Sequence, residues 1–81
     1  MIRIQYFGSI RDFTNCKEEA STASSLGEVM DFVKAKYGKA ALQAMKASMV
    51  TLDGVRVEAL KRGLVLPEGS DVGIYPLCGG G

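Results

Sequence analysis

The chain has 81 residues, which is enough for one domain with a small hydrophobic core. Apolar residues make up 47% and charged residues 23% of the sequence, the balance of a globular protein and not of a disordered one. The formal net charge is +1, and no basic run is longer than Lys61-Arg62, which argues against a nucleic-acid-binding protein. No apolar stretch approaches a membrane span and no signal peptide is recognisable, so we expect a cytoplasmic protein without membrane contact.

The sequence contains no histidine and only two cysteines, Cys16 and Cys78. Two thiols cannot form a disulfide framework, and a zinc site would need both of them plus scattered carboxylates. The usual general base at neutral pH is missing, so a serine or cysteine nucleophile would have no activating partner. We therefore expect no metal site and a chain that is not catalytic on its own.

The N-terminal part of the chain predicts two strands. Residues 2–7 alternate in polarity, which is typical of a half-buried strand with Ile2, Ile4 and Tyr6 on the buried face. Phe7 interrupts the polar face and is either an incidental exposed aromatic residue or a contact site. Residues 9–15 are interpreted as a connection, and residues 16–22 as a second strand whose Lys17-Glu18-Glu19 run is solvated.

The main helix is predicted to begin after Ser25, because Ser25 and Glu28 have the spacing of a capping box. Gly38 favours a helix end after Tyr37. Between these limits the apolar residues form one helical stripe: Leu26, Val29, Met30, Val33 and Tyr37. Residues 40–46 predict a second, short helix.

The C-terminal half predicts a hairpin and a last strand. Asp53-Gly54 separates two short alternating runs and is a strong hairpin signal, because both residues must accept positive φ. Residues 59–66 remain ambiguous, and Pro67-Glu68-Gly69 predicts a turn.

The last strand is predicted over residues 71–77, with Pro76 suited to a sheet edge or a strand end. The outward positions of this strand are Gly73, Tyr75 and Leu77. These elements predict an α+β fold in which one main helix packs across a small mixed sheet.

The sequence closes with Gly79, Gly80 and Gly81. Glycine is about 7% of average composition, so three in a row arise by chance at roughly one position in 3,000. We predict a folded domain over residues 1–78 and a flexible tail over residues 79–81 that ends in the Gly81 carboxylate. A frayed terminus or an expression scar is the alternative interpretation.

Three features together resemble the ubiquitin-like sulfur carriers, which include the molybdopterin synthase small subunit (MoaD) and the thiazole-synthesis carrier (ThiS). The first is Tyr6-Phe7 at the end of the first strand, before Arg11-Asp12-Phe13. The second is the turn and strand over residues 67–76, and the third is the glycine tail. The resemblance spans all 81 residues and is greatest to the molybdopterin synthase subunit. It implies a ubiquitin-like β-grasp fold.

The resemblance also implies a reaction cycle. An E1-like adenylyltransferase (MoeB/ThiF-like) would use ATP to adenylate the Gly81 carboxylate. A sulfur donor such as a cysteine desulfurase system would then convert the adenylate to a thiocarboxylate. The tail would insert into a MoaE-like large subunit and donate sulfur in molybdenum or tungsten cofactor synthesis, while Gly79 and Gly80 let it pass a narrow channel. No cofactor would be bound by the carrier itself.

The same resemblance implies that Phe7 and Tyr75, with Leu77 as a weaker candidate, dock the activating enzyme and the synthase. The tail departs from the family pattern in its third glycine and in Cys78, which is either a small packing residue or a thiol relay. Thiazole-type sulfur transfer, conjugation of Gly81 to lysines of other proteins, and an interaction module with an inert tail are the alternative functions.

Overall fold

Five strands form one mixed sheet in the computed structural model, which describes residues 1–77. The strands are β1 (Ile2–Tyr6), β2 (Glu18–Ser21), β3 (Ser48–Leu52), β4 (Val55–Val57) and β5 (Asp71–Pro76). Their spatial order is β2-β1-β5-β3-β4, with β1 and β5 parallel and all other neighbouring pairs antiparallel. The predicted tail over residues 79–81, together with Cys78, lies outside the described residues.

Three helices connect the strands: α1 (Arg11–Thr14), α2 (Leu26–Tyr37) and α3 (Lys39–Lys46). α2 packs across the sheet through its buried residues Leu26, Gly27, Val29, Met30 and Val33. This arrangement confirms the predicted α+β fold with one main helix across a small mixed sheet. No helix within residues 1–77 is long and apolar enough to cross a membrane.

The prediction of a plain connection over residues 9–15 is wrong. A 3₁₀ turn at Gly8–Ile10 leads directly into α1, and Ile10 is completely buried in the core. Asn15 ends α1 in the left-handed conformation, with φ 54°. These helical turns are too short to show a hydrophobic period in the sequence, so pattern analysis misses them.

The predicted limits of α2 are correct, but its N-terminal capping differs from a standard capping box in one hydrogen bond. The Ser25 side chain accepts a hydrogen bond from the Glu28 N–H at 3.2 Å, as a capping box requires. The Glu28 carboxylate, however, accepts from the backbone N–H of Ser24 at 3.0 Å, one residue earlier than the standard pattern. Gly38 follows the helix with φ 98°.

The ambiguous segment before β5 is explained by its contacts with the start of α2. Carbonyl oxygens of Arg62 and Leu64 accept from the backbone N–H groups of Gly27 at 2.8 Å and Leu26 at 2.9 Å. These donors belong to the first turn of α2, where the backbone N–H groups have no acceptor within the helix itself. The segment therefore completes the α2 N-terminus by irregular backbone bonding, which leaves no periodic sequence signal.

The predicted hairpin is confirmed between β3 and β4. Asp53 and Gly54 have φ values of 50° and 85°, the positive angles that a two-residue hairpin turn needs. The Asp53 carboxylate also accepts from the backbone N–H of Asp71 at 2.8 Å, which ties the turn to the start of β5.

Candidate functional site

Phe7 and Tyr75 stack on the outer face of the sheet. Their ring centroids lie 4.2 Å apart and the ring planes are 5° from parallel. The stack forms because β1 and β5 are parallel neighbours, and the Phe7 N–H donates to the carbonyl oxygen of Ile74 at 3.0 Å. Both rings are half-buried, so Phe7 is less exposed than the alternation pattern predicts. We call this stacked pair the aromatic patch.

Gly73 provides the surface on which the Tyr75 ring lies. A Cβ atom at Gly73 would be 2.8 Å from Cε1 of Tyr75 and 2.6 Å from Oγ1 of Thr51, distances at which neighbours must shift. Gly73 is therefore buried, although the sequence predicts an outward position on an open face. The absence of a side chain lets the aromatic ring cover the strand.

The patch continues onto β3 through Met49, which is paired in register with Tyr75 and half-buried. Next to it lies an open concavity of about 580 Å³ that reaches Leu60, whose exposed fraction is 65%. Sequence reasoning missed both residues. The signal for Met49 is period-two alternation, which includes this residue when the strand begins at Ser48 and not at Val50.

Arg11 adds a positive charge to the edge of the aromatic patch. Its Nε donates to the carbonyl oxygen of Tyr6 at 2.7 Å, and its guanidinium carbon lies 5.8 Å from the Phe7 ring centroid. This contact is in the range of a cation–π interaction. Arg11 belongs to α1, so it is the unpredicted short helix that brings this charge to the patch.

Leu77 follows β5 at the same end of the sheet and has an exposed fraction of 61%. Pro76 is the last residue of β5, where its missing N–H removes no interior ladder bond. β5 is a central strand, so of the two positions expected for Pro76 the strand end is correct and the sheet edge is wrong. The candidate residues Gly79, Gly80 and Gly81 follow this point and lie outside the described residues.

Glu19 is the centre of a hydrogen-bond cluster on the helix side of the sheet. Its carboxylate accepts from the Tyr6 hydroxyl at 2.7 Å, the Tyr37 hydroxyl at 2.6 Å and Lys36 Nζ at 2.6 Å. The prediction that the Lys17-Glu18-Glu19 run is solvated is therefore wrong for Glu19, whose side chain is only 13% exposed. The Cys16 thiol lies beside this cluster, 3.7 Å from the Tyr37 hydroxyl.

The cluster has a consistent protonation pattern. Burial and then the hydrogen bond to Glu19 raise the pKa of both Tyr6 and Tyr37, so both hydroxyls remain donors. Burial alone would raise the pKa of the Glu19 carboxyl, but the hydrogen bonds from Lys36, Tyr37 and Tyr6 outweigh it and hold that pKa below its usual value. The cluster thus joins β1, β2 and α2 through one carboxylate and is a structural feature.

No group of three or more metal-ligating side chains occurs within residues 1–77. The described part of the chain thus offers an aromatic surface beside the end of a central strand. Such a surface is suited to protein contact.

No protein-family model matches the sequence, and no curated protein is significantly similar to it. Solved structures do match. A chain of the Amycolatopsis orientalis BexX/CysO complex has a TM-score of 0.80 and 16% identity, covering 100% of both chains. A chain of the Helicobacter pylori complex of molybdopterin-converting factor subunits 1 and 2 has a TM-score of 0.73 and 18% identity, covering 99% of this chain and 97% of that one.

A third match is the Haloferax volcanii small archaeal modifier protein 1, with a TM-score of 0.66 and 11% identity, covering 93% of this chain and 94% of that one. Two of these three structures are complexes with a second protein. The sequence identities are low, and the common property is the arrangement of one helix across a five-stranded mixed sheet. The chain adopts the ubiquitin-like β-grasp fold of these proteins.

Proposed function

We propose that the protein is a sulfur carrier whose reactive group is the Gly81 carboxylate. The observation that carries the proposal is the aromatic patch beside the end of β5, the strand that leads through Leu77 towards the three glycines. A partner that docks on this patch would hold the carrier close to the point where its terminal residues begin. The fold shared with the molybdopterin-converting factor and the small archaeal modifier supports the same reading.

The proposed chemistry begins with activation because a carboxylate is a poor electrophile. The Gly81 carboxylate attacks the α-phosphorus of ATP on an E1-like adenylyltransferase, and pyrophosphate leaves. The terminal sulfur of a persulfide, carried by a donor such as a cysteine desulfurase system, then displaces AMP and forms an acyl disulfide. Thiol reductants cleave the S–S bond of this acyl disulfide, are oxidised to a disulfide themselves, and release the donor as a thiol. The product is a C-terminal thiocarboxylate, and the carrier itself binds no cofactor.

The glycines and the aromatic patch have complementary energetic roles in this proposal. Glycine has no Cβ, so the chain at Gly79, Gly80 and Gly81 can approach the walls of a narrow channel. Ordering each backbone residue costs about 1–2 kcal/mol. The docked surface must offset this cost, and half-buried aromatic side chains such as Phe7 and Tyr75 are typical of residues that dominate binding energy.

For the acceptor, we propose molybdopterin synthesis, in either its molybdenum or its tungsten form, with a MoaE-like large subunit as synthase partner. The fold shared with a subunit of the molybdopterin-converting factor supports this choice, as do Phe7 and Tyr75 on the open sheet face. A thiazole-type acceptor would use the same terminus with a different synthase.

Protein modification is the second candidate function, favoured by the fold shared with the small archaeal modifier protein 1. One experiment separates the two. The carrier is incubated with the E1-like adenylyltransferase of the same genome, ATP and a sulfur donor, and its intact mass is measured. Sulfur carriage predicts replacement of one oxygen by sulfur. Conjugates on lysines of other proteins, without this replacement, would favour the modifier. An unchanged mass with an enzyme active on another carrier would exclude sulfur carriage.

A further inference from the structure

Positive charge collects at the end of the sheet where β1 and β5 finish. Arg11 Nε is bonded to the carbonyl oxygen of Tyr6, the last residue of β1, at 2.7 Å. The Tyr6 N–H donates to the carbonyl oxygen of Lys17 at 2.8 Å. Lys46 is the last residue of α3, two positions before Ser48, which pairs with Pro76. We call Arg11, Lys17 and Lys46 the basic end.

These three cations have no carboxylate within 4.0 Å among residues 1–77. Lys36 is not part of this group, because it is paired with Glu19 at 2.6 Å. Two exposed carboxylates offset part of this charge: Asp12 beside Arg11 in α1, and Glu58, which follows β4 and lines the concavity at the start of β3. The basic end therefore keeps positive charge that the described part of the chain does not use for its own ion pairs.

The carboxylates at the opposite end of the sheet are used within the chain. Glu68 pairs with the N-terminal ammonium group of Met1, and Asp71 lies 3.6 Å from Arg3. The Asp53 carboxylate accepts from the backbone N–H of Asp71 at 2.8 Å. The basic end differs from this end because its three cations have no ion pair within residues 1–77.

We infer that the protein partner that docks on the aromatic patch presents a rim of carboxylates to the basic end. This inference rests on the proposed function and names the chemistry of the partner surface. Interfaces commonly combine an apolar centre with a polar rim, and Arg11 lies beside Phe7 as such a rim residue would. Complementary rim charges accelerate association and orient the partners.

The arrangement favours a protein surface over the phosphates of a nucleotide. Arg11 lies beside an aromatic patch that spans two strands, and its Nε donor is already used by a backbone carbonyl. A phosphate would gain nothing from the aromatic area, whereas a protein with an apolar centre and an acidic rim uses both features.

The test measures the association rate of the carrier with the E1-like adenylyltransferase of the same genome, without ATP, as a function of ionic strength. The variants are Arg11→Glu and Lys46→Glu. Lys46→Glu is needed because Arg11 also supports the backbone at Tyr6, whereas the Lys46 side chain makes no hydrogen bond or ion pair within residues 1–77. Lys34→Glu is the matched control, since exposed Lys34 lies on α2, which packs on the face of the sheet opposite the aromatic patch.

We expect each basic-end variant to associate roughly three- to tenfold more slowly at low salt, with thermal midpoints close to wild type. The difference should fall below about twofold near 0.5 M salt, where screening is strong. The control should stay within about twofold of wild type throughout. Salt-dependent binding that the basic-end substitutions slow, but that is not followed by thiocarboxylate formation, would support this inference and contradict the proposed function.

Equal association rates for the basic-end variants and Lys34→Glu would overturn the inference. So would a rate loss that persists at high salt together with a lowered thermal midpoint, because that result would indicate a structural role. Absence of any wild-type association with the adenylyltransferase would overturn it as well.

Discussion

Replacing Glu19 tests whether one carboxylate holds β1, β2 and α2 together. In Glu19→Ala, the completely buried Tyr6 side chain loses the acceptor of its hydroxyl group, and half-buried Tyr37 loses the same partner. A buried donor left unsatisfied costs about 1–3 kcal/mol, and bonds to charged acceptors are at the upper end of the usual range. Lys36 is exposed and adds little. We therefore expect a loss of about 2–4 kcal/mol in the free energy of unfolding.

Glu18→Ala is the matched control, because Glu18 is the preceding residue in the same strand. Within residues 1–77 its only ion pair is a 3.6 Å contact with Arg3, and both side chains are half exposed. Exposed pairs of this kind contribute about 0–1 kcal/mol. Urea unfolding followed by circular dichroism measures both variants. A loss at Glu19 no larger than the loss at Glu18 would refute the assignment of Glu19 as the joining residue.

The pH dependence of the free energy of unfolding provides a second test of Glu19, with the variant Glu19→Gln. The pKa of Glu19 is lowered in the folded state, so its contribution is fully present above the unfolded-state pKa of about 4.3. The contribution is lost as the pH falls through the folded-state pKa, because the protonated carboxyl then resembles the amide. The stability difference between wild type and Glu19→Gln should therefore shrink below about pH 4, and a pH-independent difference would contradict the mechanism.

Two further predictions concern the aromatic patch. Gly73→Ala should displace the Tyr75 ring and lower the free energy of unfolding by about 1–3 kcal/mol. The displacement should alter the ring-current shifts of Phe7 in NMR spectra, and unchanged Phe7 shifts would contradict the placement of the ring over Gly73. Phe7→Ala should weaken partner binding by about 2 kcal/mol but cost only about 1 kcal/mol of stability, measured by titration calorimetry and urea unfolding. Phe13→Ala is the control, an exposed aromatic residue outside the patch, and a stability loss above about 3 kcal/mol at Phe7 would place that residue in the core.

The elements that could be predicted from the sequence depend on residues close together in the chain. Alternation over residues 2–7 identified β1 and its buried face. The Ser25 cap and Gly38 bounded α2, and Asp53-Gly54 identified the hairpin. In each case the energetic preference is local, because a cap, a positive φ angle or a helical stripe is determined within one or two turns of chain.

The features that could not be predicted depend on side-chain packing in three dimensions or on an element too short to show a period. Glu19 looks like part of a charged run, and only the packing of α2 on β2 surrounds it with donors. Alternation predicts an outward position for Gly73, but the Tyr75 ring covers it. Short α1 has no periodic signal, so the position of Arg11 beside Phe7 was not predicted either.

The candidate site was predictable in outline. Phe7 and Tyr75 were both assigned to outer positions by alternation, and the parallel pairing of β1 with β5 brings them into contact. Met49 was missed because its strand begins two residues earlier than predicted. The docking role of the patch stays a prediction, and so does the chemistry of the three glycines.

The central claim is that sulfur is carried at the carboxyl group of Gly81. The most direct measurement is tandem mass spectrometry of the tryptic peptide that begins at Gly63, after incubation with the adenylyltransferase, ATP and a sulfur donor. We predict that sulfur replaces an oxygen in the terminal fragment containing Gly81, and that deletion of Gly81 abolishes this product with little change in thermal midpoint. Sulfur found on Cys78 as a reducible persulfide, or retained carriage by the Gly81-deletion variant, would contradict the account.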